Sequence, residues 1–376
     1  MTGNWEGQLD RHLAQWTAAG LLDADSATRI RAWESTRPRG LSWPVRMALA
    51  FGAILLGAGV LLLVSAHWDE LSPAGRMALV VGTVAALHAG GAAVARRFEG
   101  LSVALHAVGS IAMGGGIALA GQIFNLSEHW PEAILLWAAG CGFAWLLLRH
   151  WTQGALCAIL IPWWLAGEWD TRVAFAYPHG MMPVWAGVCA LSFAYLSSRR
   201  SPEDGTLRKA LAWLGGLTLL PAAALVASYG LWERGDLPWG PGGSWIAWAV
   251  ALVGPLAVAL ALDRRQVLWC GAAMAWTLVL AVCGSAMHSQ GATYAWCAIG
   301  AAGLTAWGIR FGRAERINLG VAGFAIAVFA FYFSSVMDKM GRSASLIGFG
   351  LLFLAGGWVL EKARRRLLAQ MSRETL

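Results

Sequence analysis

Two short stretches of this 376-residue sequence carry side chains able to do chemistry at matching spacing. One runs from Ser65 through His67, Trp68 and Asp69 to Glu70, the other from Ser127 through His129, Trp130 and Pro131 to Glu132, and both read S-x-H-W-x-E. Imidazole with carboxylate suits a divalent metal, and His at i with Glu at i+3 share a face if the stretch is helical. His67, Glu70, His129 and Glu132 are therefore candidate ligands. The second copy points elsewhere, because Pro131 lacks an amide hydrogen and belongs in the first turn of a helix. With Ser72-Pro73 opening one apolar segment and Pro131-Glu132 opening another, both copies read as a helix end, an interfacial Trp and a new helix start. The prolines favour the turn; a metal or ligand site is the alternative.

Two further histidines, His88 and His106, lie inside apolar segments. At roughly 1.5 Å per residue both sit about 8 to 10 Å below the same ends of their helices, so they are placed to face one another. An ionisable group within a membrane helix is a functional candidate, although a neutral imidazole also serves simply to hydrogen-bond a neighbouring helix. Other chemistries find no support. None of Lys209, Lys339 and Lys362 follows a glycine, so the phosphate-cradling P-loop is missing, as is an H-E-x-x-H zinc pair. No apolar segment holds an Asp or Glu in its interior, which disfavours a carboxylate-based proton pump. No spacing singles out a nucleophile with its base, so the sequence is not read as an enzyme, and no cofactor is expected.

The elements that must position these residues are membrane helices. Hydrophobic residues make up 58% of the chain and charged ones 13%, against roughly 45 to 50% and 25% in ordinary soluble domains. A spanning helix needs about 20 mostly apolar residues, and segments of that kind lie near 45–66, 74–95, 101–124, 131–148, 153–168, 181–198, 209–229, 244–262, 266–286, 291–309, 316–336 and 343–360. The expected fold is an all-α, polytopic transmembrane helix bundle of about twelve spans. Of the 28 Lys and Arg, 23 fall on one side of that alternation, including Arg199, Arg200, Arg208, Arg313 and Arg316. By the positive-inside rule both termini are cytoplasmic and the protein belongs in an inner membrane. The 23 tryptophans gather near span ends, among them Trp43, Trp68 and Trp130, as interfacial belts do. Ser110, Gly114 and Ala118 fall one helical turn apart, which lets the third span approach a neighbour closely. The six cysteines lie in apolar segments without a C-x-x-C pair, which argues against disulfides and zinc. Positive charge is dispersed between apolar segments, so a nucleic-acid partner is not expected.

Residues 1–44 form a separate headpiece, 45–361 the transmembrane bundle and 362–376 a basic cytosolic tail. In the headpiece Trp5, Leu9, Leu13 and Trp16 recur at helical spacing, and Gly20 is placed to end that helix in a left-handed cap. Asp23 is placed to cap a second helix bearing Ala27, Ile30 and Trp33. The spacing predicts a small cytosolic helical hairpin, too small to bury a stable core alone. It packs on its own protein, on the membrane surface, or on a cytosolic protein partner. The segment lacks the order of a secretory signal, so the first span is expected to be retained.

The headpiece "LAQWTAAGLLDADSATRIRAW", then "VSAHWDELSPAGRMAL", "LAGQIFNLSEHWPEAILLWA" and the tail from Met337 follow one another in a familiar order. That order resembles the bacterial predicted membrane proteins of domain-of-unknown-function family 2157, most closely over residues 9 to 145. The resemblance implies location and architecture and carries over no catalytic residue. Two functions remain open: a transporter or permease for a small or lipophilic solute, and a sensor or scaffold acting through the headpiece.

Overall fold

The computed structural model describes residues 3–36, 71–124, 129–173, 180–201, 203–232, 244–286 and 290–336, with isolated positions at 51, 55 and between 348 and 362. Among these the regular structure is helical throughout. The chain forms two compact units, Met1–Leu79 and Val80–Leu376.

In the first unit, α1 (Gly3–Ala18) and α2 (Ala24–Thr36) pack on each other, with Leu13 and Ala27 buried. Gly20 takes φ 69°, a left-handed conformation that glycine adopts without a Cβ penalty, and the Leu21 amide closes the turn onto the Trp16 carbonyl at 3.0 Å. Hydrogen bonds from Ser26 hold the Asp23 carboxyl below its ordinary range, as expected of a helix-capping acid. Arg31 Nε reaches Asp10 Oδ1 at 2.8 Å, an exposed pair between the two helices.

The remaining helices are α3 (Pro73–Val94), within which the boundary between the units falls, α4 (Glu99–Ile123), α5 (Pro131–Leu148), α6 (Trp151–Val173), α7 (Met182–Leu196), α8 (Thr206–Trp232), α9 (Ser244–Leu262), α10 (Val267–Ala286), α11 (Gln290–Arg310) and α12 (Ala314–Phe331). These ten follow the second to eleventh apolar segments of the sequence. The first and last, 45–66 and 343–360, lie largely outside the described residues. Among the described residues six helices, α3, α4, α5, α8, α9 and α12, are long and apolar enough to cross a membrane. Helix α6 outruns its expected end at 168 because Glu168 bonds back to Trp164 and forward to Arg172, each four residues away, the spacing of neighbours on a helix face.

Helix α7 carries the densest burial, with Met182, Ala186, Cys189, Ala190 and Phe193 enclosed by α8, α9 and α10. A smaller core, Ala138, Cys141 and Leu160 with Met113 and Trp137, joins α4, α5 and α6. Leu136, Phe143, Leu147, Trp213, Leu217 and Leu268 point outward. So broad an apolar exterior suits contact with hydrocarbon.

Candidate functional site

Helices α3 and α4 run side by side, with a Cβ at Gly116 placed 2.6 Å from Val80 and one at Gly91 placed 2.8 Å from His106 Nε2. The seat is reciprocal: a Cβ at Gly109 would lie 3.0 Å from His88 Nε2. Each imidazole thus occupies room that a glycine on the opposite helix leaves open. The two rings meet Nδ1 to Nδ1 at 2.9 Å, with centroids 5.1 Å apart. His106 is buried and His88 half-buried.

Further polar groups fix His106 from its backbone. Ser110 Oγ donates to Gln153 Oε1 at 2.9 Å, which turns the amide nitrogen of Gln153 toward the His106 carbonyl, 3.1 Å away. Trp137 of α5 lies over Gly114 and donates its indole N–H to the Ser110 carbonyl at 2.7 Å. The small-residue stripe of α4 therefore houses side chains. A third ring completes the cluster: the His150 centroid stands 5.4 Å from that of His106. It follows Arg149, whose φ of 56° ends α5 in a left-handed turn. His150 Nδ1, Ser102 Oγ and Thr152 Oγ1 are buried with no hydrogen-bond partner among the described residues.

Two imidazole nitrogens 2.9 Å apart admit one proton between them. If both carried Nδ1–H the protons would collide, and if neither did two lone pairs would oppose each other, so one ring donates and the other accepts. The pair passes from neutral to singly charged by taking up one proton, which the two sites share.

The second S-x-H-W-x-E copy is a turn that grips α6. Trp130 precedes α5, Pro131 is its first residue and Glu132 lies in its first turn. The Trp130 ring covers Gly167, and His129 Nε2 meets Glu168 Oε1 at 3.1 Å and Oε2 at 3.2 Å. Glu168 belongs to the polar end of α6, beyond its apolar stretch. Its carboxyl is held below the ordinary range by the hydrogen bond to His129 first and by Trp164 and Arg172 besides. His129 thus pairs with Glu168. Among the described residues no group of three or more His, Cys, Asp or Glu is arranged to hold a metal ion. His67 and Glu70 lie outside the described residues, whereas Ser72 just after them accepts the Gly75 amide at 3.2 Å and so caps α3.

A second polar node was not singled out by sequence. Arg316, in the first turn of α12, is fully buried. It donates from Nη1 to Gln266 Oε1 and from Nη2 to the Leu196 carbonyl, both at 2.7 Å, and lies 3.9 Å over the Trp307 ring. Gln266 in turn donates to Asp263 Oδ2 at 2.7 Å and to the Ser197 carbonyl at 3.2 Å. Leu196 ends α7, so the guanidinium satisfies a carbonyl that has no partner within its own helix.

An all-α chain with several helices of membrane-crossing length and apolarity, carrying paired histidines within two of them, defines a membrane protein. Residues 14–153 match the model of domain-of-unknown-function family 2157, described as predicted membrane proteins. The match runs from near the end of α1 through both S-x-H-W-x-E copies and includes His88, His106, His150 and Gln153. No curated protein and no solved structure matches the chain.

Proposed function

We propose that this membrane protein is a permease for a small or lipophilic solute, with the His88–His106 pair as its polar centre and twelve spans that leave both termini in the cytoplasm. The 2.9 Å contact between imidazoles on two candidate spans carries this reading. Ionisable groups are expensive within a bilayer and are kept where they serve a pathway. A pair able to hold one exchangeable proton suits proton movement along the solute pathway, including when no solute is present. His150 and the unpartnered hydroxyl of Ser102 extend the polar surface beyond the pair. The test uses the full chain in liposomes loaded with a pH-sensitive dye, under an imposed pH gradient. The parent should dissipate the gradient faster than His88→Leu and His106→Leu variants of matched incorporation; equal rates in all three would overturn the reading.

A scaffold role has its own support in the exposed apolar residues Trp16, Leu21 and Trp33 of the first unit. Deleting residues 1–40 should then release co-purifying proteins. Retention of every partner would remove this alternative.

A further inference from the structure

Three turns converge at one end of the α7 to α12 helices. They are Arg199–Asp204 between α7 and α8, Asp263–Gln266 between α9 and α10, and Phe311–Arg313 between α11 and α12. Between them they gather the guanidinium groups of Arg199, Arg200, Arg208, Arg313 and Arg316 against the carboxylates of Asp204, Asp263 and Glu315. Cations exceed anions in a place largely withdrawn from water.

The arginines fall into two kinds. Arg208 and Arg316 are held through their terminal nitrogens: Arg208 Nη1 reaches the Ser198 carbonyl at 3.0 Å and the Leu262 carbonyl at 3.1 Å, and both Nη atoms of Arg316 are engaged, although its Nε has no partner among the described residues. Arg199 and Arg313 are not so held. Both face Asp204, yet Arg199 Nε stands 3.8 Å from its carboxylate, beyond hydrogen-bond reach. The acceptor capacity of Asp204 goes to the backbone amides of Arg200 at 2.6 Å and Ser201 at 2.9 Å. Arg313 is only 8% exposed, and its Nε, like that of Arg199, is buried with no hydrogen-bond partner among the described residues. Glu315 Oε1 likewise has no partner among the described residues, so this oxygen does not meet the need. Arg200, 45% exposed and 3.8 Å from Asp263, stands at the rim.

Unpaired N–H donors on buried cations call for an anion with several acceptor oxygens, and guanidinium matches phosphate in both geometry and charge. Basic clefts between membrane helices at the level of the headgroups take up anionic lipids for this reason. We propose that Arg199, Arg200 and Arg313 form a binding site for a phosphate group, that of an anionic phospholipid headgroup in the leaflet at this end of the helices. Arg316 and Arg208 form its structural floor.

The full chain, purified in a neutral detergent, would be titrated with phosphatidylglycerol or phosphatidylcholine, and bound lipid counted by native mass spectrometry. Phosphatidylglycerol adducts should persist at about tenfold lower lipid concentration than phosphatidylcholine adducts, the effect of one charge-assisted contact. The preference should fall in Arg313→Gln and vanish in Arg199→Gln combined with Arg200→Gln. The latter two positions are less buried, so that variant keeps the test decisive should Arg313→Gln fail to fold. Equal binding of the two lipids by the parent, or an undiminished preference in the Arg199/Arg200 variant, would overturn the proposal. If inorganic phosphate raises the parent's melting temperature but not that of the Arg199/Arg200 variant, with no lipid preference, the ligand is free phosphate and the lipid source falls.

Discussion

The histidine cluster of α3 to α6 and the arginine node of α7 to α12 solve the same problem with opposite materials. The first packs two imidazoles that meet Nδ1 to Nδ1, with glycines at 91 and 109 making room. The second buries a permanent cation and meets its two terminal nitrogens with an amide and a helix-end carbonyl and its face with an indole. An imidazole pair can change charge in place; a guanidinium, always protonated, cannot. The contrast separates a site fit to carry a changing load from one that fixes helix ends against each other.

The glycines differ in what they meet. In the histidine half they receive side chains: His106 at Gly91, Trp137 at Gly114, Met113 at Gly140. In the arginine half Gly300 likewise receives the Trp276 ring, but two glycines meet backbone: a Cβ at Gly320 would lie 2.7 Å from the Ala301 carbonyl oxygen, beside the Thr305 hydroxyl, and one at Gly215 would lie 2.5 Å from the Ser192 carbonyl oxygen. A side chain can turn aside, whereas a neighbouring helix must move as a body.

The largest effect should come from Arg316→Met. It leaves Gln266 Oε1 and the Leu196 carbonyl buried without a donor, a loss of about 3 kcal/mol, read as a lowered melting temperature in detergent by tryptophan fluorescence. Arg316→Lys should recover only part of it, because a single ammonium lacks the planar fork that reaches both acceptors. If Arg316→Met costs no more than His106→Leu, the distinction between anchor and switch fails. Next comes Gly320→Ala, at about 2 kcal/mol, the range for overpacking against something that cannot give way. Gly91→Ala should cost less than Gly320→Ala, about 1 kcal/mol, since the His106 ring can shift. That shift parts the two Nδ1 atoms, so proton flux through liposomes should fall although the protein stays folded. Equal melting losses for the two glycine variants would erase the distinction between a glycine that meets a side chain and one that meets backbone.

Much of the first half was legible in the sequence. Apolar run length placed α3 to α12, Pro131 fixed the start of α5, Gly20 the end of α1, and the depths of His88 and His106 put them at one level. What periodicity could not supply was the third dimension. His150 sits between two apolar segments and reads as a loop residue until Arg149 turns it inward, and Gln153 is an ordinary polar residue near a helix start. The arginine node was hidden by the charge count itself, which assigned Arg316, Arg199 and Arg208 to a solvated loop. Only the fold shows that Arg316 lies against Trp307 with the end of α7 over it. An Arg opening an apolar segment, with Asp263 and Gln266 at the start of another, is the signal that was available.

The smallest effect should come from the rim, where His129 and Arg172 face Glu168 alongside the indole of Trp164. The carboxyl is held below its ordinary range, so it is more strongly ionised folded than unfolded. Its contribution to stability is complete above the unfolded carboxylate pKa and is lost as pH falls through the lower, folded value. Glu168→Gln removes the charge at every pH, and its melting temperature should trail the parent's by a small, constant margin near neutrality. On acidification the margin should close, because the parent's carboxyl then becomes neutral too. Parent and variant melting together at every pH would mean that the turn carrying His129 is held by Trp130 on Gly167 and that the Glu168 charge contributes nothing.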